Sequence, residues 1–73
     1  MTTERLVHMA NQIAAFFRSY PHDVAVAGIA GHIRQFWERR MRDQLAAHVA
    51  AGGEGLDPLV IAATKRIDDV AAA

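Results

Sequence analysis

From Leu6 to Tyr20 the large apolar residues Leu6, Met9, Ile13, Phe16, Phe17 and Tyr20 recur at steps of three and four. That spacing follows the 3.6-residue turn of an α-helix and lays one apolar stripe along it. Nowhere does the chain show the apolar–polar alternation of a half-buried strand, and it has no internal repeat or heptad run. The chain is thereby constrained to an all-α fold. The expected form is a small bundle of about four helices, at approximately 3–19, 23–36, 39–51 and 57–70.

Punctuation sets these boundaries. Thr3 is placed to cap the first helix, with Glu4 favourably set in its first turn. Pro21 stops that helix, because it has no N–H to donate and restricts Tyr20 before it. Asp23 is the expected cap of the second helix, where Val26, Ala30, Ile33 and Trp37 form a ridge widened by Ile29 and Phe36. Gly28 and Gly31 sit inside it at a cost of about 1 kcal/mol each relative to alanine. Either they let another backbone come close or they are simply tolerated. After Trp37 the apolar pattern shifts phase to Met41, Leu45, His48 and Val49, so a bend or short break is expected near Glu38–Arg39. Gly52-Gly53-Glu54-Gly55 stops the third helix and forms a loop. Asp57-Pro58 reads as a cap followed by proline at the first helical position. Leu59, Val60, Ala63, Ile67 and Val70 supply the last stripe, and Ala71–Ala73 are expected to fray.

A chain of 73 residues is enough for one domain, taken as 1–73. A domain of that size buries only about 60% of its unfolded surface, so its margin of stability is thin. The sequence has no cysteine, which rules out disulfides and thiolate metal ligands and suits a reducing, cytoplasmic location. Eight basic and eight acidic residues cancel, which argues against bulk electrostatic binding to nucleic acid or an anionic membrane. No secretory signal and no membrane span are expected, since no uninterrupted apolar run approaches the ~18–20 residues a span requires. Hydrophobic residues make up 52% of the chain, more than one small core can hide. A partner surface is the first inference.

Residues for chemistry are sparse. His8, His22, His32 and His48 fall on different elements without a paired ligand on one helix face, so no metal site is expected. Ser19 is the only serine and has no glycine elbow. Asp68 and Asp69 are adjacent and diverge by about 100° on a helix, so they cannot act as a facing acid–base pair. The glycine loop lacks the Gly-Lys-Ser/Thr ending of a phosphate loop. No catalytic residue and no bound cofactor are expected. The densest polar feature is His32–Arg42, with Arg34, Arg39, Arg40 and Arg42 interleaved with Phe36 and Trp37. Arginine and tryptophan are enriched in protein–protein hot spots, while a solvated arginine face over packed aromatics is the plain alternative. Stacking on bases by the same residues is the nucleic-acid alternative. Asn11 and Gln12 interrupt the first helix. They fit an exposed turn, or an amide that bonds across to a partner backbone and fixes register.

Three stretches taken in order resemble a known family. They are Met9-Ala-Asn-Gln-Ile13 with Phe16-Phe17, then Ile29-Ala-Gly-His-Ile-Arg34 with Phe36-Trp37 and Arg40-Met-Arg42, then Gly52-Gly53 with Gly55-Leu56 and Pro58-Leu59-Val60. Together they are similar to the small delta subunit of soluble NAD-dependent formate dehydrogenases, from about Leu6 to about Ala63. The family pattern often has proline where Arg39 stands here. The resemblance implies membership of a cytoplasmic, multi-subunit complex that oxidises formate to carbon dioxide and passes the electrons to NAD. It implies that larger subunits carry the molybdenum or tungsten pterin, iron–sulfur clusters and FMN. The delta subunit would then be a non-catalytic accessory supporting assembly or stability. The residues expected to meet those subunits are Arg34, Phe36, Trp37, Arg40 and Arg42, with Phe16 and Phe17 second. A homo-oligomer of the isolated chain is the other way its apolar faces could be covered.

Overall fold

The computed structural model describes residues 2–72, with side chains through residue 67. Four helices follow one another: α1 (Thr3–Phe17), α2 (His22–Phe36), α3 (Arg39–Ala50) and α4 (Pro58–Ala72). No strand occurs among the described residues. Fold class and helix number are as the sequence implies, and the differences lie at caps and in phase.

Thr2, not Thr3, caps α1, its hydroxyl accepting from the Arg5 N–H at 3.3 Å. The helix ends at Phe17 rather than near residue 19, and the Tyr20 N–H closes a tight turn on the Phe17 carbonyl at 3.0 Å. Pro21 therefore does not stop α1. It is the N-cap of α2, whose first helical bond runs from the Ala25 N–H to the Pro21 carbonyl. Asp23 lies within the first turn, where its charge suits the positive helix end without capping it.

The expected break between α2 and α3 is present at Trp37 and Glu38, both extended, with φ/ψ of −90/138° and −66/155°. At the far end of α3, Gly52 and Gly53 take positive φ. Their N–H groups return to the carbonyls of Val49 and His48, the paired bonds of a Schellman stop. Asp57 caps α4 as expected, its Oδ1 accepting from the Leu59 N–H at 2.9 Å. The helix is assigned through Ala72, past the expected end at 70, and Ala73 lies outside the described residues. Val70, Asp68 and Asp69 likewise have side chains outside them.

The core explains the shift in phase. On α1 the fully buried residues are Leu6, Ala10 and Ala14, each four apart, while Met9, Ile13 and Phe17 pack at its edge. Two alanines on the inner face let α1 sit close enough to touch all three other helices. The heaviest packing is α2 on α4, with Val26, Ile29, Ala30 and Ile33 meeting the side that carries Val60, Ala63 and Ile67. Leu45 from α3 and Leu56 from the loop complete it.

Candidate partner-docking surfaces

An aromatic cluster forms where the end of α1 meets α2. Phe16 and Phe17 are consecutive on a helix, so they diverge by about 100° and cannot share one environment. Phe17 turns toward α2, where an added Cβ at Gly28 would lie 2.4 Å from its ring. Gly28 is thus required by a ring rather than by a backbone. Gly31 has nothing within 4 Å of the same position and is simply tolerated. Phe16 stays 69% exposed and meets Phe17 edge to face at 5.0 Å. Tyr20 extends the cluster, its ring 5.7 Å from that of Phe17.

Trp37 joins from the other side. Because it has left the helix, its side chain turns inward, and it is only 7% exposed. With Met9, Ile13, Phe16, Phe17 and His32 it lines a groove of about 460 Å³ that is mainly apolar. The His32 and Phe36 rings lie 4.8 Å apart, tilted by 42°, and Phe36 is 67% exposed. Three of the seven expected interface residues, Phe16, Phe17 and Trp37, therefore line one groove, and Phe36 stands against its His32. The two placed second on the sequence, Phe16 and Phe17, are both in its lining.

The arginines are not gathered there. Arg34 and Arg40 are exposed and line neither this groove nor the next. Arg42 is half-buried in a second groove of about 390 Å³ beside Arg39, Asp43 and Thr64, over Ile33, Leu45 and Ile67. The residues expected to meet a partner are thus spread over separate parts of the surface. The cause is the extended pair Trp37–Glu38, which resets the phase of α3 relative to α2.

Asn11 has a role that its setting in the sequence left open. Its amide nitrogen donates to the Gly55 carbonyl at 2.9 Å and its Oδ1 accepts from the Asp57 N–H at 2.8 Å. It binds the chain's own α3–α4 loop. Beside it Arg18 pairs with the carboxylate of Asp57 at 2.7 Å. His48 closes the same loop, its Nε2 lying 2.8 Å from the Glu54 carbonyl oxygen, which makes Nε2 the protonated ring nitrogen. The amide and histidine bonds were legible only as polar residues on apolar stripes.

Among the described residues no three His, Cys, Asp or Glu side chains approach closely enough to hold a metal ion. Ser19 stands exposed in the turn after α1. Among the same residues no helix is long and apolar enough to cross a membrane. Among the described residues the surface carries an apolar, aromatic groove and an arginine-lined groove. Against this geometry, a family model described as NADH-dependant formate dehydrogenase delta subunit FdsD matches residues 5–64. No curated protein and no solved structure matches the chain.

Proposed function

The chain belongs to the FdsD family of formate dehydrogenase delta subunits, and on that premise we propose that it is a non-catalytic accessory subunit docking on the larger subunits through its aromatic groove. Family membership implies association with other formate dehydrogenase subunits. The groove supplies a place for it, and this observation carries the proposal: Phe16 in its lining and Phe36 against its His32 stand largely in water although the chain has a well-filled core. Exposed aromatics gathered around a cleft mark contact surfaces, since a partner that covers them recovers apolar area and ring contacts.

In this reading the electron-transfer cofactors reside in the partners: a molybdenum or tungsten pterin, iron–sulfur clusters and FMN, with NAD as acceptor. This chain has no cysteine with which to hold a cluster of the usual kind. Its contribution is thermodynamic. A subunit that binds only the folded partner stabilises it by mass action and slows its loss to unfolding. The complex would work in the cytoplasm.

The test is to purify the tagged full chain gently from its native host and identify what accompanies it. Recovery of large molybdopterin and flavin subunits with formate-dependent NAD reduction supports the proposal. Recovery of the chain alone, as a stable homo-oligomer, overturns it. To place the surface, Phe16→Ser with Phe36→Ser is the informative pair, because both rings are exposed and neither is needed for the core. Trp37→Ala is a poorer probe, since it tests folding and docking together.

A further inference from the structure

Two side chains in the lining of the aromatic groove carry amide or imidazole groups, Gln12 from α1 and His32 from α2. Both are exposed, and neither has a hydrogen-bond or ion-pair partner among the described residues. His32 has only its ring contact with Phe36. Water answers them in the free chain, and a partner that covers the groove removes that water. Buried polar groups are almost always hydrogen-bonded, and one left without a partner is costly. Whatever fills the groove must therefore bring hydrogen-bonding groups as well as apolar area.

Charge narrows the choice. No carboxylate, guanidinium or ammonium group lines this groove. A charged side chain pressed into it loses water and meets no counter-ion, which is strongly unfavourable. The occupant is thus uncharged, yet it presents a donor and an acceptor side by side. A peptide group has that chemistry. Inside a helix its N–H and C=O are already bonded four residues away, so only non-helical chain leaves them available. The Gln12 amide, with N–H donors and a carbonyl acceptor on one plane, matches the C=O and N–H of one extended residue.

We propose, resting on the accessory-subunit reading, that the groove receives an extended, uncharged and largely apolar segment of a larger formate dehydrogenase subunit. The Gln12 amide bonds its main chain from one wall and the His32 ring does so from the other. Side chains alternate along an extended segment, so those facing inward pack on Met9, Ile13 and Phe17. Main-chain bonds then set the register, while the covered rings supply the apolar area.

The test uses the purified complex and two readings. In the first, Phe16 or Phe36 is replaced by p-benzoylphenylalanine, the complex is irradiated, and the linked peptides are mapped. Links on neighbouring residues of one short segment free of Asp, Glu, Lys and Arg are expected. Links spaced by three or four residues along a helix, links within a charged segment, or no link to a larger subunit of an intact complex overturn the proposal. In the second, Gln12→Met keeps the side chain's length and removes its hydrogen bonds at an exposed position. Affinity for the larger subunits should fall about tenfold with helicity retained, and amide exchange in the linked segment should quicken. Unchanged affinity and exchange in Gln12→Met overturn the proposal. If the photoreactive residue itself blocks assembly, Gln12→Met decides alone. An unsubstituted chain that purifies alone overturns the accessory-subunit reading itself, a different and separately visible failure.

Discussion

The two grooves lie close in sequence and differ in almost every physical respect. The aromatic groove is built from residues that also belong to the core or pack on it, Met9, Ile13, Phe17 and Trp37, so shape and stability are bound together there. In the arginine groove the polar lining of Arg39, Arg42 and Asp43 is laid over core residues that are filled without it. A surface made of core residues is rigid and cannot be altered without a cost to folding. One made of long charged side chains can change freely, and it contributes orientation more than affinity. Only Glu38 stands between Trp37, which lines the first groove, and Arg39, which lines the second.

That comparison can be broken or sharpened by substitution. The largest effect is expected from Trp37→Ala, which removes a buried ring and should cost about 3–5 kcal/mol. In a domain this small that is much of the total, and circular dichroism should show partial unfolding at 25 °C. A stably folded Trp37→Ala would mean that the aromatic groove is decoration on the core rather than part of it. Asn11→Ala comes next, at about 1–3 kcal/mol, because it strips the Gly55 carbonyl and the Asp57 N–H of their partner. Denaturant midpoints at unchanged m-value are the measurement.

Third is a contrast within α2. Gly28→Ala drives a methyl into the Phe17 ring and should destabilise by about 1–3 kcal/mol, less the helix-propensity gain. Gly31→Ala meets nothing and should raise stability by up to about 1 kcal/mol. Equal effects of the two would show that Phe17 moves aside without cost. The smallest effect on folding, within about 0.5 kcal/mol, is expected for Phe16→Ser with Phe36→Ser. Its co-purification with the larger subunits should nevertheless fall at least several-fold, as measured by pull-down at matched expression.

Much of this arrangement was legible beforehand, for a physical reason. Pro21, Gly52-Gly53 and Asp57-Pro58 act on the backbone through φ restriction, positive φ and missing N–H groups, and such effects need no tertiary context. The boundary between α1 and α2, the end of α3 and the start of α4 followed from them, and the break after α2 from the shift in apolar phase beyond Trp37. Facing was less legible. Large aromatic residues dominate a hydrophobic pattern, so Phe16 and Tyr20 were drawn into the stripe of α1. The buried positions are instead Ala10 and Ala14, whose small size matters only once another helix is beside them. Trp37 looked like the last rung of α2 and is the first residue beyond it. Phe16, Phe17, Phe36 and Trp37 could be named as contact residues but not grouped, because grouping depends on the turn at Trp37–Glu38. The Nε of Arg42, buried without a hydrogen-bond partner, had no sequence signal at all, since burial of a single atom is a product of packing. The similarity noted from Leu6 to Ala63 is matched by the family over residues 5–64.

The Asn11 amide has a bearing on how the chain is made. Its two acceptor and donor partners stand 44 and 46 residues downstream. At a synthesis rate of ~5–20 residues per second, roughly 2 to 9 s separate the emergence of Asn11 from that of the segment it holds. Throughout that interval α1 has only α2 and then α3 to pack on, and the loop that Asn11 holds does not yet exist. The earliest-made helix thus waits for one of the latest-made loops before its amide is satisfied.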